Sequence, residues 1–176
     1  MPSTLRVSQA LLHTLLLHTL LEVRRRSEAL IAGLEPEDLG LQGMAAASPP
    51  KWHLAHTTWF FDTFVLQPHL ASHTPCDPRW SYQFNSYYEA VGERHPRSER
   101  GVLSRPTIRE ILEWRAVVDA GLMQLLGKEP TAELQTLVEL GLQHEQQHQE
   151  LLLMDLLDGF SRQPLEPKYS SEADLK

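Results

Sequence analysis

His144 and His148 stand four residues apart in LGLQHEQQHQELLLMDLLDGF (residues 140–160), with Glu145 and Glu150 beside them. On a helix that spacing points two side chains the same way, so both imidazoles can reach one ion. The stretch also reads H-E-x-x-H, the pattern in which two histidines hold zinc and the glutamate serves as general base. A metal needs at least one more ligand, and PPKWHLAHTTWFF (residues 49–61) offers His53 and His56.

The surroundings argue against a peptidase. One such class needs a glycine at 151 and a histidine at 154, where this chain has Leu151 and Met154. The other takes a glutamate further on, where this chain offers only a polar tail, and no sheet edge is expected to hold an extended peptide. What remains is the row Leu134, Leu137, Gly141, His144, His148, Leu152, Asp155, whose steps of three or four keep it on one face. Two imidazoles in a core-facing row are costly without partners. Hydrogen bonds alone could satisfy them, but a pair at this spacing favours a shared metal. Cys76, with His73 three residues before it, is the other chemical candidate. A nucleophile needs a base held in place, which a loop does not provide, so Cys76 reads as inert.

The elements that position these residues are helices. The first pattern runs from about Thr4 to Leu34, with Leu5, Leu12, Leu15, Leu16, Val23 and Leu30 on a shared stripe. GLEPEDLGLQGMAAASPP is a linker rich in turn formers. Ser48 reads as an N-cap with Pro49 at the first helical position, and Pro68 closes that second helix. Residues 68–106 read as a long irregular segment, too aromatic for disorder and too long for an idle loop. Thr107 and Glu110 form a capping box for the third helix, which Gly127 stops. Thr131 caps the fourth, expected to reach about Asp158 with Gly159 at its end. The expectation is an all-α fold, a four-helix bundle with a long crossover between helices 2 and 3. A length of 176 residues suits one domain. A net charge of -7 argues against non-specific nucleic-acid binding. The leucine-rich start is broken by His13, Thr14, His18 and Thr19 and is too short to span a membrane. A single cysteine excludes an internal disulfide and suits a reducing, cytoplasmic location.

SPPKWHLAHTTWFF, FNSYYEAVGERHPRSERG and HEQQHQELLLMDLL occur in that order. Together they resemble the amino-terminal domain of the ergothioneine-biosynthesis sulfoxide synthases. These are non-haem iron enzymes whose amino-terminal domain belongs to the DinB-like four-helix superfamily. The resemblance covers nearly the whole chain. It implies Fe(2+) held by His56, the histidine of the Leu-Ala-His triplet, and by His144 and His148 of H-x-x-x-H-x-E, completed here by Glu150. Glu145 becomes a neighbour of the site, and His53 a helix-start residue or an outer partner. Gln147 matches the residue that contacts the imidazole substrate. Tyr87, Tyr88, Arg94 and Arg97 lie in the segment that would border the pocket, and arginine suits a substrate carboxylate.

In that family, oxygen joins the sulfur of a cysteine-type thiol to the imidazole ring of trimethylhistidine, giving a sulfoxide. Family members carry a second, carboxy-terminal domain resembling the formylglycine-generating enzymes. This chain ends about where the first domain would, so the expectation is either a fragment or a relative whose partner domain is encoded separately. On either view residues 1–160 are the metal-binding domain and 161–176 a polar tail. The alternatives left open are a stand-alone DinB-like thiol transferase using Zn(2+) or Ni(2+), and a non-catalytic metal-binding bundle. The expected partners are a small-molecule thiol and a histidine-derived substrate, with neither nucleic acid nor membrane. A homodimer is compatible with the sequence.

Overall fold

A computed structural model describes residues 3–88 and 92–169, with side chains from Leu11 onward. Among these residues every regular element is helical and no strand occurs. Helix α1 spans Ser3–Ala29, after which i→i−3 bonds such as Ile31 N–H to Glu28 O turn the chain short of the expected Leu34. Its buried face is Leu16, Leu20, Val23, Arg24 and Ser27. Leu12 and Leu15, expected on the stripe, are 61% and 62% exposed. In a run so rich in leucine the period alone does not choose the face; packing does. Leu5 lies outside the described side chains.

Helix α2 spans Pro50–Phe60, with Pro49 at the cap and Pro50 in the first turn, where its missing N–H costs nothing. Ser48 is therefore not the cap. Its backbone N–H donates to Asp155 Oδ2 instead, 2.8 Å away. The helix does not stop before Pro68. It widens into π-helical turns over Phe61–Leu66 and finishes as a short turn α3, Gln67–His69. Such wide turns are frequent near functional sites.

The segment expected to be irregular contains helix α4, Pro78–Phe84, and a 3-10 stretch, Arg97–Val102. Asp77 caps α4 by accepting from Arg79 N–H, and Pro78 fixes its first turn. Helix α5, Ile108–Leu126, opens with the capping box of Thr107 and Glu110 and ends at Gly127. Helix α6, Ala132–Ser161, is capped by Thr131 and runs past Gly159. That glycine is there for close approach, because a Cβ on it would lie 2.6 Å from Leu41. Gly141 has the same role against α2's continuation, where a Cβ would meet Phe61 at 2.6 Å.

Helix α6 packs on α1 and α2, and α2 packs on α4 and α5. Trp52, Trp59, Phe61, Leu66, Ile111 and Leu152 lie in the core they share. No helix among the described residues is long and apolar enough to cross a membrane. The chain after α6 folds back far enough for the Tyr169 hydroxyl to donate to Leu30 O, 2.8 Å away.

Candidate metal centre

Helix α2 is buried on almost every side, so the histidines it carries are surrounded by protein. His56 is 1% exposed, and its Nδ1 lies 2.6 Å from the carbonyl oxygen of Phe84. A carbonyl can only accept, so Nδ1 carries the proton and Nε2 the lone pair. That Nε2 faces His144 Nε2 of α6 at 3.1 Å. The ring of His148, one turn along α6, lies 4.7 Å from that of His56 and 4.6 Å from that of His144. One ligand nitrogen from each of His56, His144 and His148 falls within 4.8 Å of the others. Three histidines that could hold one metal ion are thus brought together.

The donor set fits such an ion. Two imidazole nitrogens bound at right angles at about 2.1 Å from one metal stand roughly 3.0 Å apart, close to the spacing of the two Nε2 atoms. The lone pair on His56 Nε2 faces His144 Nε2, so in the metal-free protein His144 carries its proton there, while its Nδ1 is buried without a hydrogen-bond partner among the described residues. Burial, then neighbouring His144, holds the His56 pKa well below the ordinary value. Burial pushes His144 down to about 4. Burial and the adjacent imidazoles of His56 and His53 depress His148 further. All three are neutral at physiological pH, as coordination requires.

Aromatic rings fix these imidazoles. Trp52 stacks on His56 with centroids 4.6 Å apart, and Trp59 lies nearly parallel at 5.7 Å. Phe60 packs on His144 at 5.0 Å. The end of α4 supplies acceptors for this layer. A helix leaves its last carbonyls unpaired. Here Gln83 O accepts from Trp52 Nε1 and Phe84 O from His56, while Ser81 Oγ accepts from Trp59 Nε1.

Glu145, the glutamate of H-E-x-x-H, is 1% exposed and faces α1 and α5. It accepts from Arg24, Arg115 and Ser27. Burial alone would raise its pKa, but the two guanidiniums hold it down to about 2. A carboxylate so committed is no general base. Glu150 is exposed beside Arg26 and Gln146 on the other side of α6.

Of the remaining residues named from sequence, Gln147 is exposed, and Tyr87 is 66% exposed beneath the guanidiniums of Arg94 and Arg97, 5.8 and 5.9 Å from its ring. Tyr88 packs on Phe64 at 4.8 Å and on Trp59 at 5.6 Å, so that one ring, Trp59, stands between it and His56. Arg94 donates to Ser86 O. The thiol of Cys76 is pushed up to about 12 by burial and by Asp62, which keeps it protonated and unreactive.

Three residues near the cluster carry more than sequence reasoning gave them. His53 is 3% exposed, with Nδ1 2.8 Å from His148 Nδ1 and Nε2 3.2 Å from Asp155 Oδ2. Asp155 stood at the end of the inward row without a role. Arg100 was missed. It is 2% exposed, lies 3.4 Å from the Trp52 ring centroid and donates to the hydroxyls of Ser48 and Ser86. Burial, then the nearby Arg97, pushes its pKa down to about 9. The spacing Arg94, Arg97, Arg100 is the signal that could have found it.

Comparison with known proteins agrees with this helical, histidine-bearing architecture. No curated protein matches the chain. The family described as the DinB superfamily matches residues 19–152, a stretch that includes His56, His144 and His148. The chain therefore belongs to the DinB superfamily.

Proposed function

We propose that this chain is the metal-binding domain of a non-haem iron sulfoxide synthase of the ergothioneine-biosynthesis type. Such an enzyme forms a carbon–sulfur bond, with oxygen as oxidant, between a cysteine-type thiol and trimethylhistidine. The single observation that carries the reading is the convergence of His56, His144 and His148. They are three neutral nitrogens drawn from two motifs that resemble that family in order and spacing. Residues 1–160 then act as a DinB-like four-helix bundle, and 161–176 as a polar tail. Fe(2+) held by three imidazoles would supply open positions for a thiolate, an imidazole substrate and oxygen.

The protein's own groups do the rest. Phe84 O and the two tryptophans hold His56 in one tautomer and one orientation. The exposed guanidiniums of Arg94 and Arg97 around Tyr87 suit the carboxylates that both substrates carry. Gln147, the residue before His148, would reach the imidazole substrate only from the exposed side of α6.

The test is anaerobic loading with Fe(2+), addition of trimethylhistidine and cysteine or gamma-glutamylcysteine, and then oxygen. Binding of both substrates to the iron form, with a sulfoxide product by mass spectrometry once any carboxy-terminal partner domain is supplied, is the expected result. Zn(2+) or Ni(2+) preference with thiol transfer to an electrophile, and no response to trimethylhistidine, would replace this reading with the thiol transferase. Absence of metal binding under all of these conditions would leave a non-catalytic bundle.

A further inference from the structure

Asp155, His53 and His148 form a line of hydrogen bonds whose direction follows from chemistry alone. Asp155 Oδ2 receives the backbone N–H of Ser48 at 2.8 Å, which anchors the carboxylate. The same oxygen is 3.2 Å from His53 Nε2. A carboxylate accepts and does not donate, so His53, as a neutral imidazole, carries its proton on Nε2 and a lone pair on Nδ1. His53 Nδ1 is 2.8 Å from His148 Nδ1, and two lone pairs cannot share that contact. His148 must therefore donate from Nδ1, which leaves its Nε2 proton-free. We propose that Asp155 and His53 are positioning residues that act through His148. Together they lock the tautomer that presents Nε2 as a metal ligand and fix the plane of its ring.

Ligand histidines commonly have their outer nitrogen bound to a carboxylate or carbonyl, and loss of that partner costs about 10- to 100-fold in metal affinity. His56 has the one-step form of this arrangement, through Phe84 O. His148 has a two-step form, with a second imidazole between ligand and carboxylate. The relay joins three parts of the chain: the linker before α2 (Ser48), the first turn of α2 (His53) and two turns of α6 (His148, Asp155). It therefore also sets how far α6 lies from the start of α2. The relay's value to a metal rests on the proposed metal site; its proton positions do not.

The experiment separates the two. Nitrogen-15 imidazole spectra of the metal-free wild-type protein read each tautomer directly. The proposal expects His148 protonated on Nδ1 and His53 on Nε2. A wild-type His148 protonated on Nε2 overturns it, whatever the metal does. Variants supply the second reading. Asp155→Leu removes the acceptor, and His53→Phe fills the same space without a hydrogen bond. Each should weaken Co(2+) and Fe(2+) binding by about 10- to 100-fold and mix the His148 tautomers. Asp155→Asn, whose amide oxygen can still accept from His53, should restore both readouts most of the way. If Asp155→Leu does not fold, His53→Phe and the wild-type spectra decide. Unchanged metal affinity in folded Asp155→Leu and His53→Phe reduces the relay to packing and overturns the proposal. Wild-type protein that binds no metal, with the expected tautomers intact, overturns the metal reading and leaves the lock standing.

Discussion

At the scale of single residues, the three candidate ligands differ in how firmly their protons are placed. His56 is fixed by a carbonyl and His148 by the line through His53, whereas His144 has the His56 lone pair on one side and no hydrogen-bond partner for Nδ1 among the described residues. Replacing His56, His144 or His148 with alanine removes a ligand and should abolish stoichiometric metal in the purified protein. His53→Ala should leave metal bound but more weakly, and elemental analysis after dialysis separates the two classes. If His53→Ala strips the metal and His56→Ala keeps it, the ligand assignment is wrong.

The pH response has a definite sign. The folded pKa values of these histidines lie below the ordinary value of about 6.5. Below that value the unfolded chain binds protons that the folded chain refuses, so stability is complete above about 6.5 and falls on acidification towards about 4, the value of His144. Glu145 behaves oppositely in origin, since its depressed pKa gives stability that is lost only as pH falls from about 4.3 towards 2. Urea midpoints measured between pH 8 and 5 should therefore fall through the histidine window, and midpoints that stay flat there would refute a buried neutral cluster. The pairing of His144 with His148 on one face was legible because spacing on a helix is local. Asp155 and Arg100 were not, because their roles come from contacts with distant segments.

At the scale of elements, three positions decide how the helices carry the site. Helix α4 was hidden in a stretch rich in turn formers, although Asp77 followed by Pro78 is a helix-start signal. Its importance lies in the carbonyls it ends on, which no local pattern announces. Glu145 ties α6 to Arg24 of α1 and Arg115 of α5. Glu145→Leu leaves two guanidiniums without their shared carboxylate and should cost about 3–5 kcal/mol, measured by denaturant titration. A loss under about 1 kcal/mol would show that water reaches those arginines. Gly141 was read correctly as part of the inward row, yet its reason is the ring of Phe61. Gly141→Ala should destabilise by about 1–3 kcal/mol, because Phe61 is fully buried and cannot swing away. The N-cap of α2 and the end of α6 were misplaced for a related reason. Ser48 and Gly159 look like boundary residues, but tertiary contacts with Asp155 and Leu41 claim them.

At the scale of the whole molecule, the site is a junction between distant parts of the chain. His56 and His144 are 88 residues apart in sequence, and α2 and α6 meet face to face. Helical content and the order of the long helices could be read from periodicity and caps, whereas the pairing of α2 with α6 shows only in three dimensions. An ion shared by His56, His144 and His148 would bridge those two helices and exist only in the folded chain. Binding to the folded state alone stabilises by mass action, about 2.7 kcal/mol at a free-metal concentration 100 times Kd. The melting temperature should thus climb with added Fe(2+) or Co(2+) under anaerobic conditions and fall back when a chelator is added. The dependence should follow the logarithm of free metal above Kd, the mark of linkage as opposed to a general salt effect. His144→Ala should fold, because among the described residues His144 makes no salt bridge and the hydrogen bond it gives up is the one to His56 within the cluster. That variant should melt near the metal-free wild type and ignore the metal. A wild-type melting temperature that does not move across a thousandfold range of metal, with circular dichroism showing the protein folded throughout, would mean that the three imidazoles meet for reasons of packing alone.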